Sequence, residues 1–171
     1  FTKTDEDGKQ WTAKGTVPAS ANENASFSIT VLDNAGNRGS PETLTSDSTS
    51  VTLDTTAPTL SNLVLASTNA KDSTRHAKAD DDLTLTFISS EAIPAPSVTL
   101  AGASVTATNA SGNGTSWQAT HPVTDGDTGN VAFSISYADP AGNAGESRDE
   151  SSVQNTITLD TTTPTLSLVK L

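Results

Sequence analysis

The phrase VTLDTTAPTL occupies residues 51–60, and ITLDTTTPTL occupies residues 157–166. The same spacing, 106 residues, separates Trp11 from Trp117 and places FSITVLDNAGNRG (27–39) on FSISYADPAGNAG (133–145) without a gap. A match that runs through strands and turns alike marks a tandem duplication, and each copy must then fold on one plan. The period suits a sandwich domain of about 100 residues. The repeat divides the chain into the back half of one unit (1–54), a whole unit (55–160) and the first strand of a third (161–171). Trp11 and Trp117, as equivalents, are expected to share core surroundings.

Within the whole unit, apolar side chains alternate with period two, the pattern of a strand with one buried face. LTLTFIS points Leu83, Leu85 and Phe87 one way; VAFSISYA does the same with Val131, Phe133, Ile135 and Tyr137; NTITL adds Ile157 and Leu159. PTLSNLVLAS opens the unit, SVTLAGASVTAT and TSWQATHPV supply the middle strands, and SGNG at Ser111 is a hairpin turn. No stretch carries a helical apolar period. About seven short strands predict an all-β, Greek-key β-sandwich.

Composition narrows the partners. Only 33% of residues are hydrophobic and 4% aromatic, a share that suits a thin sandwich. The net charge of −11 argues against nucleic-acid phosphate and favours cation binding wherever acids converge. Cysteine is absent, which excludes disulfides and thiolate metal sites. No apolar run reaches membrane-spanning length. The chain opens on Phe1 rather than Met, and we expect it to be a piece of a longer polypeptide.

The words DDLTLTFISSEAI, GNGTSWQATHPVTDGDTGNVAFSISYADPAGNAG and TLDTTTPTL together resemble the bacterial Ig-like repeats of large secreted adhesins. The resemblance covers essentially the whole chain. It implies an Ig-like fold, an extracellular place at the bacterial cell surface, neighbouring repeats of the same chain as partners, and calcium at or near domain junctions. One departure is AKADDDLTL, where a glycine is expected near Asp80 or Asp81; the turn there differs or holds a cation.

In an Ig-like sandwich the entry linker, the loop after the second strand and the loop before the last strand share one pole. Asp54, Glu91, Asp139 and Asn143 would then meet there, offering Ca²⁺ the carboxylate and amide oxygens it prefers. Asp33 and Asn37 are the equivalent half-site in the first copy. The plainer alternative is that Asp139–Asn143 is an Asx-type turn with Gly142 at positive φ, and that Asp54 caps the linker. A weaker pairing at the opposite pole joins Asp80 and Asp82 to Asp125 and Asp127. DEDG at Asp5 and DGDTGN at Asp125 lack the twelve-residue spacing of an EF-hand and fit solvated turns.

No nucleophile is placed beside His76 or His121, and no phosphate-binding loop occurs, so an enzyme is not expected. The expected function is a structural spacer, stiffened by short Pro-containing linkers and by Ca²⁺, that holds a distal adhesive domain away from the cell. The alternative is a ligand- or carbohydrate-binding module, which requires a pocket or an aromatic platform outside the core; none is expected, because both tryptophans align as core. The first 54 residues supply only the last strands of a sandwich and leave a face and edges to be covered. Strand complementation between chains, with Pro164–Leu171 added to a neighbour's half unit, is one way to cover them.

Overall fold

The computed structural model describes residues 2–3, 9–168 and 170. DEDG at Asp5, Val169 and Leu171 lie outside the described residues. Two compact units are present, Phe1–Thr56 and Ala57–Leu171.

The second unit is built almost wholly from strands. Its long strands are β3 (Leu60–Ser67), β5 (Asp82–Ser89), β6 (Ser97–Leu100), β7 (Ala103–Asn109), β8 (Ser116–Pro122) and β10 (Phe133–Ser136). Short strands β4 (His76–Ala77), β9 (Thr128–Asn130), β11 (Arg148–Asp149) and β12 (Thr158–Asp160) complete it, with one 3₁₀ turn at Glu150–Ser152. Seven strands form one antiparallel sheet in the order β11-β10-β6-β7-β8-β5-β3, and β4-β12-β9 form a second. The larger sheet curls at β7. The first half of β7 pairs with β6, through Ala103↔Leu100 to Thr106↔Ser97, and its second half pairs with β8, through Ala107↔Ala119 to Asn109↔Trp117.

Curling turns the apolar faces inward. Leu83, Leu85 and Phe87 of β5 are 0–1% exposed, and Val131, Phe133, Ile135, Tyr137, Ile157 and Leu159 join them in one core with Trp117. Each such aliphatic or aromatic side chain contributes about 1.5–3 kcal/mol by leaving water. Alternation therefore predicts the buried face of every one of these segments. The strands at either end of the expected hairpin also form, with Gly112 and Gly114 between them at φ 74° and 77°. The architecture is an all-β, curled antiparallel sheet of β-sandwich character.

The first unit has the same local hydrogen bonds but no core. Strands β1 (Thr2–Lys3) and β2 (Trp11–Thr12) pair in the register Thr2↔Thr12, the counterpart of Thr108↔Gln118. Single bridges join Asn24 to Thr52 and Ile29 to Glu42, the counterparts of Asn130↔Thr158 and Ile135↔Arg148. Side chains repeat too: Thr52 Oγ1 donates to Asn24 Oδ1 at 3.1 Å, and Thr158 Oγ1 to Asn130 Oδ1 at 3.1 Å. Yet no described residue up to Thr56 is buried.

The expectation for the tryptophans is therefore overturned. Trp117 is 5% exposed and Trp11 60%. The backbone plan of the two copies is shared, but Trp117 lies in a ladder between β5 and β7, whereas the strand ladder of Trp11 contains only β1. A side chain is buried by what faces it, not by its own sequence. The tail beyond Asp160 likewise forms no strand among its described residues, and Leu166 and Leu168 are exposed. A first strand is held by a ladder to the second, as β3 is by β5, and the tail has no such ladder.

Candidate functional site

One pole of the second unit gathers three segments. The unit begins at Pro58–Thr59, where Thr59 N donates to Ser90 Oγ at 3.0 Å and Ser90 N returns to Thr59 O at 2.9 Å. That latch holds the 90–96 loop, and Ser89 Oγ donates to Glu91 O at 2.6 Å to fix the residue itself. The third segment is the turn after β10. Its Gly145 lies under the Tyr137 ring, so close that a Cβ there would fall 2.8 Å from Pro58 O.

Two expected ligands meet at this pole. Carboxylate oxygens of Glu91 and Asp139 lie within 4.8 Å of each other. That is about twice a Ca–O distance of 2.3–2.6 Å, so one calcium ion fits between them. Asp139 is 3% exposed. Its burial opposes ionisation, but hydrogen bonds from the Asn143 side chain and backbone and from the Gly142 and Ala141 backbone hold its carboxyl below the ordinary carboxylate range. Asp139 is thus an anion kept ionised in a nearly dry place.

The same bonds define the turn. Asn143 N donates to Asp139 Oδ1 at 2.9 Å and Asn143 Nδ2 to Asp139 Oδ2 at 2.7 Å, with Gly142 at φ 95°. In the first unit Asn37 N donates to Asp33 Oδ1 at 2.8 Å and Asn37 Nδ2 to Asp33 Oδ2 at 2.8 Å, with Gly36 at φ 89°. Asp33 is exposed, and the Asn37 side chain and backbone lower its carboxyl in the same way. An Asx turn therefore closes by itself in both copies. Asn143 serves here as the donor that orients Asp139.

Asp54 belongs to the first unit, and its Oδ1 caps the linker by accepting from Thr56 N at 3.0 Å. Asp160 caps Thr162 N at the same distance.

The weaker candidates fold as turns. Asp80 takes φ 67°, the left-handed conformation for which a glycine is expected at this place; Asp tolerates it better than most residues. Asp127 Oδ2 accepts from Thr124 N at 2.7 Å and from Thr124 Oγ1 at 3.0 Å, and these bonds lower its carboxyl. Among the described residues, Asp80, Asp82, Asp125 and Asp127 form no cluster of three ligand atoms.

The acid that matters in this loop is Asp81, which the sequence analysis passed over. It is 6% exposed. Its Oδ2 accepts from Asn69 Nδ2 at 2.8 Å and from Lys78 N at 2.9 Å, tying the end of β3 to the turn before β5. Burial opposes its ionisation, and the Lys78 backbone, the Asn69 side chain and the Lys78 charge together outweigh that and lower it. The signal was available: Asp81 shares its parity with Leu83, Leu85 and Phe87, the inward face.

Compared with protein-family models and with curated proteins, the chain matches none.

Proposed function

We propose that the chain is a structural spacer of the extracellular, bacterial cell-surface adhesin type, a run of Ig-like Greek-key sandwiches carrying a distal module at a fixed distance. The observation that carries this reading is the recurrence, at one constant offset, of turn, bridge and side-chain hydrogen bonds through both copies. A chain selected for length needs one unit repeated; a chain selected for a ligand needs one site, and the two histidines and scattered hydroxyls provide none. The exposed aromatics do not favour the carbohydrate-binding alternative, because Trp11 and Phe27 are the counterparts of core residues Trp117 and Phe133.

Calcium is the proposed stiffener. Glu91 and Asp139 hold two of its oxygens, and Asp54 supplies a third from the junction. Asp54 precedes Pro58 by four residues, a span of at most about 14 Å, and Pro58 belongs to the same pole. Two carboxylates this near repel unless a cation lies between them. Small-angle scattering and thermal melting, with calcium and with chelator, test the proposal. Calcium at a hundred times its Kd should add about 2.7 kcal/mol to unfolding and narrow the distribution of end-to-end lengths. Glu91→Gln should abolish both effects. Scattering curves and melts that superpose with and without chelator dispose of the calcium; a freely bending chain in saturating calcium disposes of the spacer.

A further inference from the structure

The first unit presents an apolar face whose covering layer can be identified from the second unit. Trp11, Val17, Phe27, Ile29, Val31 and Val51 are each 40–65% exposed. Their counterparts Trp117, Val123, Phe133, Ile135, Tyr137 and Ile157 are each 0–7% exposed. A cavity of about 370 Å³ lies on this face, lined by Trp11, Ala13, Ile29, Thr30 and Val31. An exposed apolar surface of this kind is uncommon unless something docks on it.

The strand edges agree with the face. In the second unit Ile135 pairs with Arg148 on one side and with Val98 of β6 on the other, whereas Ile29 has a bridge only to Glu42. Thr158 pairs with Asn130 and with His76 of β4, whereas Thr52 has a bridge only to Asn24. β8 pairs with β7 and β5, and β2 has β1 as its strand neighbour. The additional partners, β4, β5 and β6, all belong to one continuous stretch, the front of the repeat.

We infer that the first unit is a docking surface for a front-half polypeptide with the strand pattern of residues 57–106, joined in line ahead of the half unit. Such a segment supplies the β4, β5 and β6 edges together with the inward side chains equivalent to Leu83, Leu85 and Phe87. A second back half carries the same edges as the first and lacks these strands, which is why a second copy of this chain is not the occupant.

The experiment places residues 57–106 of this sequence in line ahead of Phe1 and follows Trp11. Acrylamide quenching is measured for the 171-residue chain and for the extended chain, each with and without Trp11→Phe, so that the difference isolates Trp11. Quenching of Trp11 should fall with its exposure, from that of a 60% exposed residue toward that of Trp117 at 5%. Leu85→Asp and Phe87→Asp made in the added segment alone should restore quenching. Trp11 equally quenched in both chains while Trp117 stays protected overturns the inference, because the second unit is then folded and the added strands have not docked. Concentration-dependent protection of Trp11 in the 171-residue chain alone also overturns it, since a second copy is then the occupant.

Discussion

Gly145 and Gly39 hold the same position in the two copies, and replacing each with alanine should give unlike results. A Cβ on Gly145 would lie 2.1 Å from Tyr137 Cε2 and 2.4 Å from Cζ, as well as close to Pro58 O. Carbon atoms rest at about 3.5–4.0 Å, so the ring must retreat by roughly 1.4 Å. It has nowhere to go: Tyr137 is 7% exposed and Pro58 is fully buried. Overpacking of a close-packed site costs about 1–3 kcal/mol, and ejecting the ring costs about 3–5 kcal/mol. The lesser of these routes is taken, which puts Gly145→Ala at about 2–3 kcal/mol. For a unit of this size that is a fall in Tm of roughly 8–12 °C. At Gly39 the nearest atom is Val31 Cγ2 at 3.1 Å, and Val31 is 65% exposed, so its side chain can turn aside. Gly39→Ala should stay within about 0.5 kcal/mol. Urea unfolding followed by Trp117 emission reports the second unit directly. A Gly145→Ala midpoint that matches the parent, at unchanged m, refutes the reasoning, because the ring and the pole of the sandwich would then be loose rather than packed.

The Asp80 turn is tested by its backbone. Asp80→Gly should leave stability within about 0.5 kcal/mol, whereas Asp80→Val, β-branched at φ 67°, should cost about 1–2 kcal/mol by thermal melt; equal effects would mean that the side chain rather than the backbone matters there. The pH dependence has two limbs. Asp81 and Asp139 are lowered in the fold, so the stability they lend is complete above the ordinary carboxylate value near 3.9 and drains away as pH falls through their folded values. A Tm that rises on acidification below pH 4 contradicts this. Tyr137 is shifted upward, first by burial, with Glu146 adding and Arg148 opposing. Its contribution is present below the ordinary tyrosine value near 10 and is lost as pH rises through the folded one. It is the single tyrosine of the chain, so an absorbance titration reads it alone; a step at the free-tyrosine value with the fold intact would show that the phenol is not buried.

Much of this molecule was written in the sequence. Alternation in LTLTFIS and VAFSISYA determines which side chains face inward, because a strand has a period of two wherever it lies. The constant offset determines that DNAGN and DPAGN close as the same turn, since an Asx turn is made from bonds within five residues and asks nothing of its surroundings. Spacing and topology also brought Glu91 and Asp139 to one pole, although 48 positions separate them in the chain.

Tertiary structure decided the rest. Trp11 and Trp117 are written alike and differ twelve-fold in exposure, because burial belongs to the pair of surfaces and only one of them is in the strand's own sequence. Asp80, Asp81 and Asp82 are three identical letters, and the fold alone makes the first a left-handed turn, the second a buried acceptor and the third a surface strand residue. Gly145 looks like any turn glycine until the Tyr137 ring and the Pro58 carbonyl are seen against it. Local bonds are short in sequence and can be read there; contact between distant segments exists only once the sheet has curled.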